Sequence, residues 1–507
     1  MNNSFNLVDE PWILLKNSSR ISLLDLFNTD SGQNLQLGGN ALEIISVLKL
    51  LQAISFAACQ LFEDEYDDLD IEQFAARCSE YLSTHSHQFD LYDPERPFLQ
   101  FPQLKDVDAA PFSSITPHQV TANANKTALN TFQFQLTDID HPERAYMLLQ
   151  QLGFAFGGKG VNTSVCLSDT HSKSKTGSFG PSLGYFGFLH SYIFGSNVIE
   201  TLFINLLTID EVDSLVQFPK GIGIAPWELM PESENCETAI NLTNSLMGRL
   251  IPLNRFCLLK DNGICVIEGI QYLTHKSGVV DLSATLIADK EYKAIWTNTE
   301  KSGWRDAESI LSFLNDGGSN KTNLQVKFAL DHAQSHGIDH IHLVSLGLAV
   351  SYQSGEQYIS GTNDYVYSEL KLNARQLNSL FYGHLKQEWA DLNKCAFKLS
   401  TAISNFYIDQ YAKNQSSAKP PPIVSGKTSK NMTAFWQKLD AHANQFPKVC
   451  EAALTGDTGP RTKLRTTIRD LAHAIYAELK PLHSKSLDAW VKNKPHLNFY
   501  LEDKNNG

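Results

Sequence analysis

An α+β fold is predicted for this chain, with a large, irregular mixed domain over residues 1–365 followed by a C-terminal four-helix bundle over residues 366–507. Three observations carry that prediction. Apolar residues cover more than one face of ALEIISVLKLLQAISFAACQLF (41–62), the mark of a buried helix. RFCLLKDNGICVIEGIQYL (255–273) sets two strand-forming runs around Asp261-Asn262-Gly263, a strand–turn–strand signal. From about residue 366 the strand signals give way to long helical stretches.

The elements follow in order. FNLVDEPWILL near the N-terminus reads as a short extended segment with Asp9-Glu10-Pro11 at its turn. The acidic block EDEYDDLDIEQF caps and solvates the start of the next helix. Residues 97–140, rich in Pro, Gln, Asn and Thr, lack periodicity and read as long loops. AYMLLQQL (145–152) is a helix running into a glycine loop, SNVIETLFINLLT (196–208) is another helix, and HIHLVSLGLAV (340–350) is a buried strand. Helical stretches are expected at 366–386, 387–413, 431–454 and 460–480, with a shorter tail to 507. KPPPIVSGKTSK (419–430) reads as a proline-stiffened break between helix pairs.

The formal net charge is −13, which alone argues against a nucleic-acid partner, but its distribution is uneven. Residues 1–100 carry 16 acids and 5 bases, whereas residues 411–500 carry 14 bases and 6 acids. An acidic head with a basic tail hints at a polyanion-facing surface, with solvated basic helices as the competing reading. The eight cysteines form no CxxC pair and no zinc-finger spacing, which fits a reducing, cytoplasmic setting. MNNSFNLVDEPW has no basic n-region followed by an apolar core, so no signal peptide is expected. No run is read as approaching the roughly 18 apolar residues of a membrane span, and no membrane partner is expected.

Enzyme motifs are sparse. SGKTS (425–429) resembles the end of a phosphate-binding loop, but Pro421 stands where its first glycine belongs. LDHAQSHGIDHIH (330–342) offers His332, His336, His340 and His342, the basis of a competing reading as a metal-dependent nuclease or phosphohydrolase. Gly337 is expected to end a helix there and an alternating strand to begin at His340, which points these rings apart. A third reading is a scaffold that only bridges partners.

Against these stands the glycine loop. Gly157, Gly158 and Gly160 let backbone amides approach a phosphate or groove floor, and Lys159 adds charge. A flexible surface loop is the plainer alternative. Lys276 follows the predicted hairpin in YLTHKSG. In RTKLRTTIR (461–469), Arg461, Arg465 and Arg469 share a helical face by i, i+4 spacing, with Lys463 nearby, a row that fits a phosphate backbone or a solvated bundle face.

In order, these features resemble the large subunit of the type I-E CRISPR Cascade surveillance complex, the CasA family. The resemblance rests on NLVDEPWILL, FDLYDPERPFLQ (89–100), the glycine loop, the hairpin region, SYQSGEQ (351–357) and the C-terminal helices. It implies a non-enzymatic subunit that recognises the PAM in double-stranded target DNA through the minor groove, promotes strand opening and R-loop formation, and helps recruit a helicase-nuclease. Base pairing with the guide RNA then reads the rest of the target.

Carried over by the resemblance, Gly157, Gly158 and Gly160 match the family's PAM-contacting glycine loop, which Lys159 interrupts here. Lys276 matches a lysine that enters the minor groove. Tyr352, Gln353 and Ser354 fall at a wedge that splits the first base pairs, and a one-residue gap leaves its tip at Tyr352 or Gln353. Asn130 and Phe134 fall in the region that meets the guide RNA 5′ handle. The other partners implied are the remaining Cascade subunits. No cofactor is expected, and Cys257 and Cys265 alone, where some relatives have a cysteine cluster, imply no structural zinc.

Overall fold

The computed structural model describes residues 4–28, 34–112, 115, 139–156, 161–162, 164–168, 187–353, 356–358, 364–411, 421–481 and 484–500. The chain divides into two compact units, Met1–Thr299 with Asn320–Glu369, and Glu300–Ser319 with Leu370–Gly507. The class is mixed α+β with a helical C-terminal region, as the sequence predicts.

In the first unit the helix Ala41–Ala58 runs through the core, and 83% of it is buried. Apolar residues on every face leave it no solvent side. Asn40 caps it by accepting from the Leu42 and Glu43 amides, while the Glu43 carboxylate accepts the Asn40 N–H at 2.8 Å. It packs on the helices Ile71–His85 and His141–Phe154 and on the strand His340–Leu348. The expectation that no run reaches membrane-span length is corrected here. This helix is long and apolar enough by composition, yet protein surrounds it, and its Lys49 is used inside the core.

The predicted hairpin forms from Arg255–Lys260 and Gly263–Glu268, in antiparallel register with Lys260 opposite Gly263. A second sheet places His340–Leu348 between His190–Phe194 and Tyr365–Asn373. A third, small sheet orders Tyr292–Ala294, Leu286–Ala288 and Lys321–Thr322.

In the second unit a helix of 33 residues, Ser379–Tyr411, is flanked by Pro422–Asp440, Gln445–Leu454, Gly459–Ala477 and Ser484–Lys492. The segment 300–319 belongs to this unit through its aromatic residues. Trp304 donates to Asp440 at 2.7 Å, stacks on Phe446 and meets Trp389 edge-on, while Arg305 lies 3.6 Å over the Trp436 ring.

Four element expectations need correction. The helix expected over 431–454 is two, Pro422–Asp440 and Gln445–Leu454, parted by a turn over 441–444. Residues 365–373 form a strand, not the start of a helix, because Ser368, Leu370 and Leu372 alternate with Tyr367 and Lys371 in burial, a period of two. The stretches expected as two helices meeting near residue 386 form one helix, since no breaker separates them. Pro422 opens a helix instead of interrupting one, because proline is tolerated at a first turn. SGKTS therefore lies within a helix, not in a phosphate loop.

Candidate nucleic-acid interface

Lys276 sits in a single tight turn, His275–Ser277, closed by Gly278 at φ +76°. Its side chain is exposed, while everything beneath the turn is fixed. The His275 ring is buried and meets Phe188 and Trp296 edge-on, with centroids 5.3 and 5.9 Å away. A Cβ at Gly278 would lie 3.1 Å from the Tyr292 ring, so both the backbone angle and the close approach call for glycine. On the other side, both terminal nitrogens of Arg249 donate to the Leu273 carbonyl, at 3.2 and 3.3 Å.

Arg249 is 4% exposed and lies over the Tyr272 ring. Lys49, equally buried, donates to the Arg249 carbonyl at 3.1 Å and pairs with Asp281. Burial pushes the Asp281 carboxyl up, but Lys49, then His190 and Ser283, outweigh it and hold the group well below the ordinary carboxylate range. Asp281 in turn accepts from Ser283, whose hydroxyl meets His190 at 2.8 Å. A buried polar chain thus runs from the core helix to the base of the Lys276 turn. Sequence reading passed over Lys49, Arg249 and Asp281, although the one lysine of a buried, mostly apolar helix is a legible signal of an internal partner.

The platform under the turn is a strip in which Phe188 bridges to Trp296. The Gly187 carbonyl accepts from the Thr297 amide at 2.7 Å, and the Phe188 carbonyl from the Thr297 hydroxyl at 2.9 Å. Gly187 also touches the root of a second feature, since a Cβ there would lie 2.6 Å from Val350 and 3.5 Å from the Trp296 ring. From Val350 the chain enters the hairpin Ser351–Gln353/Glu356–Tyr358, with Tyr352 opposite Gln357 and Gln353 opposite Glu356. The Ala349 amide closes its base on the Asp364 carbonyl at 2.9 Å. The Lys276 turn and the hairpin that carries Tyr352 and Gln353 therefore share one support.

Ser354 lies outside the described residues, as do Gly157, Gly158, Lys159 and Gly160 and the guide-handle candidates Asn130 and Phe134. The anchors on either side of the glycines are described. The helix His141–Phe154 ends with its Leu152 carbonyl accepting from Asn254, and beyond the loop the Asn162 amide donates to Val266 at 2.8 Å. Both anchors lie on or beside the Arg255–Glu268 hairpin.

The arginine row is corrected. Arg465 is 4% exposed and points into the helical unit, donating to Glu388 at 2.9 and 3.1 Å, to Asp391 at 2.7 Å and to the Tyr500 carbonyl. Arg461 donates to the same Glu388 at 2.6 Å, and Arg469 folds onto Asp470. Only Lys463 of the four stands exposed. The i, i+4 face is real, but a buried carboxylate from the neighbouring helix claims its centre, so no continuous row faces solvent.

The histidine cluster does not converge. His332 lies between the Ile204 carbonyl and Glu211, and it packs with His336 around Tyr66. His342 pairs with Glu369 at 2.9 Å, and His340 is exposed. Among the described residues no group of three or more His, Cys, Asp or Glu is placed to hold a metal. Cys257 and Cys265 are buried thiols one position out of register, and burial pushes both up.

A family model, CRISPR-associated protein Cse1, matches residues 6–475. A curated relative, CRISPR-associated protein CasA/Cse1 of Thermus thermophilus, is 25% identical over 355 residues, 65% of this chain, and the match spans 63% of that relative's length. The crystal structure of CasA from Thermus thermophilus superposes with a TM-score of 0.72 at 18% identity, covering 98% of this chain and 99% of that one. A chain of a CRISPR RNA-guided surveillance complex superposes with a TM-score of 0.65 at 15% identity, covering 97% and 99%. At these identities the superpositions speak for the fold, and the family model speaks for the sequence. The chain belongs to the CRISPR-associated Cse1 family.

Proposed function

We propose that this chain is the DNA-reading subunit of a type I-E RNA-guided surveillance complex, without catalytic activity of its own. In this reading it recognises the PAM in duplex DNA from the minor groove and promotes the strand opening that starts the R-loop. The observation that supports it best is the shared support of Lys276 and the Tyr352–Gln353 hairpin, one exposed cation and one two-stranded ribbon rooted on the same strip.

The chemistry fits a coarse reader. The minor groove separates A·T from G·C and little else, so a lysine with a few backbone amides from Gly157–Gly160 gives relaxed selection. Inserting a wedge between base steps costs a few kcal/mol of unstacking, offset by contacts to the opened strands. R-loop formation is nearly balanced, so a few kcal/mol at its first step decide whether it proceeds. Asn130 and Phe134 would meet the guide RNA 5′ handle, other surfaces the remaining subunits, and the loaded complex a helicase-nuclease. Such a complex works in the cytoplasm.

Tagged purification from the native host, with mass spectrometry and sequencing of co-eluting RNA, tests this reading. It predicts recovery with repeated backbone subunits and RNA of uniform length. Stable recovery in an assembly without RNA would contradict it.

A further inference from the structure

Two aromatic rings that remain open to solvent bracket the turn of Lys276. Tyr292 is 45% exposed and closes against Gly278, and Trp296 is 42% exposed and meets His275. Ala294, midway between them, is buried against Phe188, Val280 and Ala284, and it ends the strand Tyr292–Ala294, beyond which Trp296 bridges to Phe188. Trp296 is held further by Phe188, with ring centroids 5.2 Å apart at 58°. No acidic residue occurs between Glu268 and Asp281, so Lys276 sets the charge of this stretch.

We propose that Tyr292 and Trp296 form a stacking platform for unpaired bases of a DNA single strand, with Lys276 holding phosphate between them. This rests on the proposed function only in taking DNA to meet Lys276. A closed duplex hides the faces of its bases, and its minor groove, about 6 Å wide, offers an indole no flat partner. An opened strand presents both π-faces and phosphates, the two chemistries that aromatic residues and a lysine bind together. Positions 292 and 296 lie about 13 Å apart along an extended chain, so the rings take bases on either side of the phosphate at Lys276. Because the platform binds opened DNA and not paired DNA, it shifts the equilibrium toward opening.

The test is titration of a fluorescein-labelled oligo-dT with the full-length chain at one fixed low salt concentration, beside a duplex probe. Trp296→Ala and Tyr292→Ala should each weaken oligo-dT binding about tenfold, and Trp296→Phe should stay within about threefold of the parent. Tyr292→Ala and Trp296→Phe should leave duplex binding unchanged, whereas Trp296→Ala also removes a support of the Lys276 turn and is read as the ratio of oligo-dT to duplex binding. If Trp296→Ala fails to fold, Tyr292→Ala carries the test, since its ring is nearly half exposed beside Gly278. Absence of oligo-dT binding by the parent chain, or binding that survives Tyr292→Ala and Trp296→Ala, overturns the platform. In either case the exposed rings would belong to a protein contact. Lys276→Ala separates the two claims. Lost duplex binding with no aromatic effect leaves the proposed function standing and removes the platform. Unchanged duplex binding and PAM preference, with an aromatic effect on oligo-dT, does the reverse.

Discussion

Gly278 and His275 hold Lys276 where it is, and each makes a testable claim. Gly278→Ala forces a Cβ into a left-handed backbone position 3.1 Å from Tyr292. It should cost about 1–2 kcal/mol, read as a lower thermal midpoint, and weaken target binding without removing any charge. Burial, then the charge of Lys276, hold the His275 pKa below its ordinary 6.5. The unfolded chain therefore takes up that proton first as pH falls. The stability it contributes is full above about pH 6.5 and declines as pH drops toward the folded value. Thermal unfolding of the parent chain and of His275→Gln across that window should show a smaller loss in the variant. Lys276 was singled out in the sequence because it follows the predicted hairpin in YLTHKSG and matches a lysine of the family. Of its supports only Lys49 leaves a local signal, as the one lysine of a buried helix, because Arg249 and Asp281 meet it only in three dimensions. Arg465 shows the converse: spacing identifies a shared helix face but cannot say which way that face points, and Glu388 on another helix decides it.

Among the elements, the long helix Ser379–Tyr411 carries the largest electrostatic commitment. Glu388 is fully buried and accepts from both Arg461 and Arg465. Glu388→Ala removes the buried carboxylate shared by two guanidinium groups and should destabilise the helical unit by about 3–5 kcal/mol in denaturant unfolding. In the first unit, Leu51→Ala in the core helix should cost about 2–5 kcal/mol, since that side chain is wholly buried. For the hairpin Ser351–Tyr358, Gln353→Ala should leave duplex binding near the parent level while slowing strand opening, read by 2-aminopurine fluorescence beside the PAM. The core helix and the Arg255–Glu268 hairpin were legible because periodicity and a tight turn signal are local properties. The strand at 365–373 was missed because its alternation adjoins a helix-rich tail. The two helices expected near residue 386 merged because spacing without a breaker sets no boundary.

At the scale of the whole molecule, the mixed class and the helical C-terminal region were readable, and the family was readable from short motifs spread along most of the chain. The grouping of residues 300–319 with the helical unit was not, because it depends on Trp304 and Arg305 finding Asp440, Phe446 and Trp436 more than 100 residues away. The central claim is that an acidic protein reads DNA through one local cationic site, set on a rigid platform beside a wedge. The most direct test compares the assembled complex carrying the parent chain or Lys276→Ala for binding to a library of targets that differ only in the PAM, at one fixed salt concentration. The account predicts affinity lower by on the order of tenfold for preferred PAMs and a flattened ranking across the library. The same affinities in the same order would contradict it.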